Sequence, residues 1–446
     1  MERSAAAIEA DPGLGAEAVD LLQRLIRIDT TNPPGNEREA QELLAAELGD
    51  AGFDCELLGA EPGRPNLVAR LRGDADGPTL CLLGHADTVP ADRGEWTRDP
   101  WGGDLADGQV WGRGAQDMKD QVAAEIAAAV GLARSGWRPA EGELLVVTTA
   151  DEEMGATLGA KWLCEEHPEK VRSDLVVNEG GGASFELAGR RLYTLCVGEK
   201  GVFRFNLRTR GRAGHASVPA LGDNALLKLA PLLERLRSQP DREPTPEGLE
   251  FLAAVLGEPV DAAGLDAAVD RLAELDPLLA AFIAEPMLRV TLTPTKARAS
   301  EKENVIPSRA ETLVDCRVPP EMDEPEVRER VERLLEGSGE FEIEFTEHAV
   351  GNRSPSRSPL AGAIAETIEE LDPGSGLVPI VMPGFSDSHW FRKAFDAATV
   401  YGFCPQRGMS LAEAGPLVHG ADERINASDV ELAAEFYARL CRRLLG

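Results

Sequence analysis

The sequence predicts an α/β protein. Its catalytic domain has a mostly parallel sheet covered by helices on both faces, and a ferredoxin-like α+β domain interrupts it. In residues 1–198, short apolar runs alternate with amphipathic helical segments, a pattern typical of parallel sheets. Near Gly198 the order becomes strand–helix–strand–strand–helix–strand, which is the order of a ferredoxin-like domain. From about Gly351 the first pattern resumes.

These changes of pattern set the predicted domain boundaries. Residues 1–198 and 350–446 are expected to form the catalytic domain, and residues 199–349 the domain that interrupts it. Residues 239–285 are rich in Pro, Glu and Ala and are predicted to be a helical insertion. A chain of 446 residues is longer than one ordinary core supports, which also indicates two domains.

The spacing of apolar residues predicts the elements of the catalytic domain. Helical spacing predicts helices at 16–28, 37–50 (with Asn36 as N-cap), 118–135, 161–167, 360–371 and 427–445. Compact apolar runs bounded by turn residues predict strands at 66–71, 79–83, 143–149, 174–177 and 399–403. Residues 94–114 are predicted to be a long irregular loop, and such loops in compact domains are usually functional.

The inserted domain shows strands with alternating polarity and two amphipathic helices. The predicted strands are 202–210, 288–292, 309–317 and 341–348, and the predicted helices are 224–237 and 324–336. Their order along the chain gives the ferredoxin-like prediction.

The composition excludes several functional classes. A formal net charge of −31 argues against nucleic acid or an anionic membrane surface as a partner. No stretch approaches the roughly 18 unbroken apolar residues of a membrane-spanning helix, and the N-terminus lacks the blocks of a signal peptide. Seven dispersed cysteines without paired spacing indicate reduced thiols. We therefore expect a cytoplasmic protein with no nucleic-acid or membrane partner.

A histidine and an acid follow the predicted central strand. Gly84 is expected to end the apolar run 79–83, and His85 and Asp87 follow two residues apart. Residues i and i+2 of an extended chain point to the same side, so an imidazole and a carboxylate emerge together. The carboxyl ends of strands are where α/β sheets place their ligand sites.

Further carboxylates follow the neighbouring strands. Glu152 and Glu153 end one buried strand, and Glu179 follows another. Asp117 lies where the long loop meets a helix. Acids that converge in a partly buried site repel one another, and a multivalent cation removes that conflict. Imidazole and carboxylate together favour zinc, since calcium and magnesium prefer oxygen ligands. Two such ions would be neutralised by Asp117, Glu153, Glu179 and a hydroxide.

A dinuclear site of this kind needs a second histidine. The chain has six histidines, and His167 and His348 lie among residues typical of a protein surface. His389 and His419 are the candidates, and composition leaves both open.

Seven motifs then resemble, in order and spacing, those of one enzyme family. They are GHADTVP, WGRGAQDMK, TADEEMG, NEGG, GRAGHAS, NVIP and VHGADER. The family is the zinc family of aminoacylase, acetylornithine deacetylase, succinyl-diaminopimelate desuccinylase and glutamate carboxypeptidase. The resemblance runs from about Leu22 to Ala427, which is nearly the whole chain.

The resemblance implies two Zn²⁺ ions per subunit, with Co²⁺ or Mn²⁺ as possible substitutes. Asp117 would bridge both ions, with His85 and Glu179 on the first. Glu153 and His419 would hold the second, because VHGADER matches the family's terminal histidine motif. Family members often have a cis peptide after the bridging Asp, which is the Asp117–Met118 bond here.

The resemblance also implies the groups that move protons. Glu152 would take a proton from the water between the metal ions and return it to the leaving amine. Asp87 would hydrogen-bond the far ring nitrogen of His85 and fix its tautomer.

The inserted domain resembles the family's lid and dimerisation domain, which implies a homodimer. His215 of GRAGHAS would reach the partner subunit's site and stabilise the tetrahedral oxyanion. Asn304 of NVIP would contact the substrate carboxylate there.

Two departures from the family affect substrate recognition. Phe385 and His389 stand where small and basic residues are common, although Arg392 could still supply a cation. The insertion at 239–285 enlarges the lid and could change both the dimer contacts and the pocket.

Together these features predict a zinc-dependent hydrolase of an amide or peptide bond in an N-acyl amino acid or small peptide with a free carboxylate. Glu179 favours the deacylase side, because the family's dipeptidases and tripeptidases often carry Asp there. A carboxypeptidase or dipeptidase is the alternative. A dizinc phosphoesterase would need a cationic phosphate clamp, and a calcium-stabilised protein would not need His85. An inactive binding protein would be expected to have lost Glu152 or a ligand.

Overall fold

A computed structural model describes residues 13–446. The first twelve residues, where no signal peptide is expected, lie outside the described part. The chain forms two compact units. The first comprises the described residues up to Val197 together with Ser354–Pro379 and Ser386–Gly446. The second comprises Gly198–Arg353 and Ile380–Phe385.

The strands are numbered in chain order. They are β1 Asp54–Leu58, β2 Asn66–Arg72, β3 Thr79–His85, β4 Asp104–Ala106, β5 Gln109–Trp111, β6 Glu143–Thr149, β7 Leu175–Asn178, β8 Ser184–Leu187, β9 Arg190–Glu199, β10 Gly201–Arg210, β11 Gly214–His215, β12 Thr291–Arg298, β13 Val305–Ile306, β14 Arg309–Val318, β15 Glu342–Ala349, β16 Gly376–Met382, β17 Thr399–Gly402 and β18 Arg424–Asn426.

The helices are numbered in the same way. They are α1 Leu14–Ile26, α2 Arg38–Asp50, α3 Lys119–Arg134, α4 Ala160–Glu166, α5 Pro168–Val171, α6 Ala225–Leu236, α7 Pro246–Leu256, α8 Leu265–Leu275, α9 Pro277–Leu279, α10 Glu285–Met287, α11 Glu324–Leu335, α12 Pro359–Leu371, α13 Ser388–Ala394, α14 Leu411–Ala414 and α15 Ala427–Leu445. Within residues 13–446, no helix combines the length and the apolar character that crossing a membrane requires.

The large sheet has a parallel centre, as predicted for the catalytic domain. Its strand order is β1-β2-β6-β3-β7-β17-β9-β16, with β8 paired to β9. Strands β6, β3, β7 and β17 pair in parallel, and β1, β2 and β9 pair antiparallel. The sheet is therefore a four-stranded parallel core with antiparallel strands beside it.

Helices cover both faces of this sheet, and alternate residues of β3 belong to two different cores. Leu80 and Leu82 belong to the core formed with α1, α3 and α15. Cys81 and Leu83 belong to a separate core that includes Leu163 of α4 and residues of α13. Because successive residues of a strand face opposite sides, β3 contributes to both cores and is buried throughout from Leu80.

The second unit contains the ferredoxin-like arrangement. Its four-stranded antiparallel sheet has the order β12-β14-β10-β15. Helices α6 and α11 supply Leu229, Leu232, Val327 and Val331 to its core. Helices α7 to α10 lie in the chain between α6 and β12, so the predicted insertion is helical.

Two details of β3 and its surroundings differ from the predictions. Strand β3 continues through Gly84 to His85, so the expectation that Gly84 ends the strand is wrong. A Cβ at Gly84 would lie 2.7 Å from Cγ2 of Val122 and 2.9 Å from Cε of Met118. The glycine therefore permits close packing of α3 on the strand rather than a turn. The predicted loop 94–114 holds β4 and β5, which pair with β18 in a small sheet.

Most predicted boundaries differ by no more than about two residues, and the starts of β12 and α2 illustrate the differences. The strand predicted at 288–292 begins at Thr291 and runs to Arg298. Asn36 is not the N-cap of α2, because Glu37 occupies that position without a capping hydrogen bond. The Glu37 side chain is instead buried and accepts hydrogen bonds from Arg64.

Candidate metal centre

The carboxyl ends of three neighbouring parallel strands bring the predicted site residues together. His85 ends β3, Glu152 and Glu153 follow β6, and Glu179 follows β7. Strand β3 lies between β6 and β7, so these ends meet at one edge of the sheet. Asp117 reaches the same place from the segment before α3. The Asp117–Met118 peptide is cis in this structure.

One group of side chains centres on His85. Its Nε2 atom lies 3.2 Å from Oδ1 of Asp117 and 3.8 Å from Oε1 of Glu179. His85, Asp117 and Glu179 form a cluster whose potential ligand atoms all lie within 4.8 Å of one another.

A second group centres on His419. Its Nε2 atom lies 3.0 Å from Oδ2 of Asp117 and 3.3 Å from Oε2 of Glu153. These three residues also form a cluster within 4.8 Å. The two oxygens of Asp117 therefore face two different histidines, each with a further carboxylate.

The residues fit divalent metal ions. Tetrahedral ligands placed about 2.0–2.1 Å from zinc lie about 3.4 Å from one another. The four distances between imidazole nitrogen and carboxylate oxygen, 3.0, 3.2, 3.3 and 3.8 Å, bracket this value. In addition, Oε1 of Glu153 is buried without a hydrogen-bond partner among the described residues, as expected for an oxygen that binds a cation.

The electrostatics show the cost of this arrangement without a cation. Burial raises the pKa of Glu152 and of Glu179, and the neighbouring carboxylates raise it further. Burial opposes the charged form of His85, but Asp117 and Asp87 outweigh it and raise its pKa well above the usual value. The carboxylates of Asp117 and Glu153 raise the pKa of His419 to about 10. Without a metal, these groups can be neutralised only by taking up or sharing protons.

Glu152 borders the two groups and belongs to neither. Its Oε2 atom lies 3.9 Å from Nε2 of His85, and 11% of its side chain is exposed. The peptide nitrogens of Glu152 and Glu153 donate hydrogen bonds of 3.1 and 3.2 Å to the carboxylate of Asp87. Asp87 therefore fixes the main chain of both Glu152 and Glu153.

The contact between Asp87 and His85 differs from the predicted one. The Nδ1 atom of His85 lies 3.0 Å from the main-chain oxygen of Asp87 and 3.6 Å from its carboxylate. The hydrogen bond that orients the ring is thus made to the peptide, since 3.6 Å is too long for a side-chain hydrogen bond.

Two predicted residues lie in the second unit, one on strand β11 and the other directly before strand β13. His215 of β11 pairs with Val305 of β13, and Asn304 precedes Val305. The peptide nitrogen of Ala216 donates to the main-chain oxygen of Asn304 at 3.0 Å. His215 is exposed, and its Nδ1 atom lies 2.7 Å from Oγ of Ser217.

The α13 candidates occupy different surroundings from those of the metal ligands. His389 is buried, burial lowers its pKa to about 4, and it belongs to neither cluster found among the described residues. Arg392 is also buried, and its guanidinium donates two hydrogen bonds to the main-chain oxygen of Val400. This use of Arg392 in the fold argues against its predicted contact with substrate.

Three residues at the site carried no role in the sequence predictions. Asn32 donates hydrogen bonds of 2.8 and 3.2 Å to the carboxylates of Asp87 and Asp151. Arg113 and Glu423 form a buried ion pair beside Asp117 and His419. Arg113 and Glu423 lie inside the motifs WGRGAQDMK and VHGADER, which could have drawn attention to them. No sequence pattern shows that the two residues meet.

Comparisons with known proteins identify the family of this chain. The model of the peptidase family M20/M25/M40 matches residues 81–443. A succinyl-diaminopimelate desuccinylase of Paracoccus denitrificans is 28% identical over 440 residues, which cover 96% of this chain and 98% of that protein. A succinyl-diaminopimelate desuccinylase of Cereibacter sphaeroides is 37% identical over 229 residues, which cover 50% of this chain and 57% of that protein.

A solved structure shows the same fold. An M20-family metallo-carboxypeptidase of Sulfolobus solfataricus superposes with a TM-score of 0.70 at 19% identity, covering 96% of this chain and 99% of that one. Because the family model matches most of the length of this chain, the chain belongs to the peptidase family M20/M25/M40 and is a metal-binding hydrolase that acts on amide bonds.

Proposed function

We propose that this protein uses two zinc ions to hydrolyse the amide bond of an N-acyl amino acid with a free carboxylate. The observation that carries the proposal is the position of Asp117, whose two oxygens lie 3.2 and 3.0 Å from the ring nitrogens of His85 and His419. A carboxylate placed between two histidines in this way suits two cations better than one.

The residues divide into two ligand sets. His85 and Glu179 would hold one ion, His419 and Glu153 the other, and Asp117 both. Mixed imidazole and carboxylate ligands support zinc, with cobalt or manganese as substitutes. Bound ions of this kind polarise an amide carbonyl and lower the pKa of water.

Glu152 is the group that would move protons. It borders both ligand sets without belonging to either, so its carboxylate stays available to the substrate. It would take a proton from the attacking water and deliver it to the leaving nitrogen. Asp87 would hold Glu152 in place through the hydrogen bond to its peptide nitrogen.

We assign His215 and Asn304 to substrate binding across a homodimer. Both are exposed in the second unit, where His215 would stabilise the oxyanion and Asn304 would contact the substrate carboxylate. Exposed Val218, Leu221 and Leu227 lie close to His215 in the chain and support a protein interface there.

A deacylase is favoured over a peptidase. Two desuccinylases are among the relatives, and one of them matches nearly the full length of this chain. Glu179 supports the same choice, because the family's dipeptidases and tripeptidases often carry Asp at that position. The carboxypeptidase fold neighbour keeps cleavage of a C-terminal peptide bond as the second candidate. None of the seven cysteines, all of which lie within residues 13–446, forms a disulfide bond, which supports a cytoplasmic location.

A substrate screen tests the proposal. Zinc-loaded protein is given N-succinyl amino acids, N-acetyl amino acids and dipeptides, and the released amine is measured. We expect turnover of an N-acyl amino acid that fails when its free carboxylate is converted to an amide. Hydrolysis of dipeptides alone would favour the peptidase, and hydrolysis of none of these substrates would contradict the proposal.

A further inference from the structure

A buried ion pair joins the two segments that carry Asp117 and His419. Nη1 of Arg113 lies 2.5 Å from Oε2 of Glu423, and their side chains are 3% and 0% exposed. Arg113 lies four residues before Asp117, and Glu423 lies four residues after His419. Neither residue belongs to a ligand set or has a place in the proposed proton transfers.

Glu423 holds the main chain that leads to Asp117. Its Oε1 atom accepts hydrogen bonds from the peptide nitrogens of Gln116 at 2.7 Å and Asp117 at 3.1 Å. Its Oε2 atom accepts a third from Gly114 at 3.1 Å. One buried carboxylate therefore fixes the turn from which the bridging residue projects, through three peptide hydrogen bonds that do not involve Arg113.

Arg113 holds the main chain that carries His419. Its Nη2 atom donates hydrogen bonds to the main-chain oxygens of Gly420 at 3.0 Å and His419 at 3.3 Å. The guanidinium also lies over the ring of Trp96, with its central carbon 5.2 Å from the centre of the ring. The planar guanidinium thus spans Glu423 and two carbonyls at once, which a lysine could not do.

His419 is the ligand that most needs such support. Its side chain is 53% exposed, whereas that of Glu153 is 6% exposed. Its φ is +60°, a left-handed conformation that costs a non-glycine residue energy. Asp422 in the same segment has φ +57°, and its carboxylate accepts hydrogen bonds from Thr97. This strained loop is held by contacts with the segment around Arg113 rather than by packing of the His419 side chain.

From this geometry we infer that Arg113 and Glu423 are positioning residues for His419 and Asp117, which form the second metal site together with Glu153. The inference rests on the proposed ligand sets. Arg113 acts on the second site alone, because it holds the peptide of His419. Glu423 acts on both sites, because it holds the peptide of the shared Asp117.

A purely structural ion pair would behave differently. Loss of one partner of a buried pair destabilises a fold wherever the pair lies. Arg70 and Glu143 form a largely buried pair on β2 and β6, with side chains 10% and 18% exposed and no role in the ligand sets. Arg70→Met is therefore the matched control for Arg113→Met.

The test measures metal binding rather than turnover. Metal-depleted wild type, Arg113→Met, Arg70→Met, Glu423→Gln and His419→Ala are titrated with Zn²⁺ against a chromophoric chelator, and bound zinc is counted after dialysis. We expect two tight sites in wild type and Arg70→Met. Arg113→Met should keep one tight site, with the affinity of the other reduced about 10–100-fold, the usual effect of losing a residue that orients a ligand. Glu423→Gln should weaken both sites.

Excess zinc separates positioning from ligation. In Arg113→Met the ligands are all present, so high zinc should restore two bound ions, whereas His419→Ala should stay at one. If Arg113→Met does not fold, Arg113→Lys takes its place. It keeps the charge beside Glu423 but cannot reach both carbonyls, so the second site should weaken about 10-fold.

Two results would overturn the inference in distinguishable ways. Two wild-type affinities in a folded Arg113 variant would reject the positioning role and leave the proposed function standing. A wild-type protein without two tight sites would reject the ligand sets, and the inference with them.

Discussion

Neighbouring acids at the sheet edge have different surroundings, and these surroundings decide what each side chain can do. Asp117 is shared between two imidazoles, and Glu153 faces one of them. Glu152 directs its carboxylate to the border of the site. The carboxylate of Asp87 is occupied by three hydrogen bonds, from Glu152, Glu153 and Asn32. We therefore assign metal binding, proton transfer and positioning to different acids of the site.

Glu152→Gln tests the proton-transfer role. The amide keeps the shape of the side chain but cannot take a proton, so turnover should fall roughly 10²–10⁴-fold. Bound metal should stay at the wild-type level, because Glu152 is in neither ligand set. The control is Glu153→Gln, which should lose one metal ion. Near-normal turnover in Glu152→Gln would remove Glu152 from the mechanism.

The residues that the sequence predicted as metal ligands come together in the structure, whereas the contacts around them were not predicted. His85, Asp117, Glu153, Glu179 and His419 all lie in the two clusters. Their motifs identify them, because they are polar groups at strand ends or in a matching terminal motif. Contacts such as Arg113 with Glu423 join residues 310 positions apart, and no local pattern encodes such a pairing.

At the scale of elements, strand β3 ends at His85, and helix α3 begins two residues after Asp117. The predictions for β6 and α15 agree with the structure at both ends, because long apolar patterns define these elements. The predictions failed where tertiary contacts decide the outcome. Gly84 was expected to break β3, but its lack of a side chain serves the packing of α3. Strands β4 and β5 are three residues each and depend on β18, which is distant in sequence.

Gly84→Ala tests the packing of α3 on β3. The added methyl group would meet Val122 and Met118 at under 3 Å, so we expect a loss of about 1–3 kcal/mol in the free energy of unfolding. Because Met118 follows Asp117, metal affinity should fall as well. Denaturant unfolding and zinc titration measure both effects.

Gly362→Ala is the control for that substitution. Gly362 lies inside α12 with no atom within 4 Å of an added Cβ, so alanine should stabilise the protein by roughly 0.5–1 kcal/mol. A Gly84→Ala protein as stable as wild type would show that α3 can move away without cost.

At the scale of the whole molecule, metal binding and stability are linked. Without metal, the raised pKa values of Glu152, Glu179, His85 and His419 mean that the folded chain holds extra protons. The stability that these groups contribute is fully present below their pKa values in the unfolded chain. It is lost as the pH rises through their raised pKa values in the folded chain. Metal ligands must also be deprotonated, so metal binding strengthens over the same range.

Metal removal should therefore lower the melting temperature by an amount that grows with pH. We expect a larger difference between zinc-loaded and chelator-treated protein at pH 8 than at pH 6. Comparing the two forms at each pH cancels groups common to both, such as Lys200, whose pKa burial lowers to about 7. A difference that shrinks from pH 6 to pH 8, measured by calorimetry, would contradict the linkage.

The proposed homodimer makes a separate prediction about His215. His215→Ala alone and Glu152→Gln alone should each be nearly inactive. If His215 acts in the partner subunit's site, refolding an equal mixture of the two variants should restore about a quarter of wild-type turnover. Half of the dimers then contain one subunit of each variant, and each such dimer has one intact site out of two. Refolding each variant alone is the control. No gain on mixing would place His215 outside a shared site.

Anomalous diffraction from zinc-loaded crystals tests the central claim most directly, because it locates each ion without reference to activity. We predict two peaks about 3.5–4 Å apart on either side of the Asp117 carboxylate. One should lie beside His85 and Glu179, and the other beside His419 and Glu153. A single peak, or two peaks without Asp117 between them, would contradict the account.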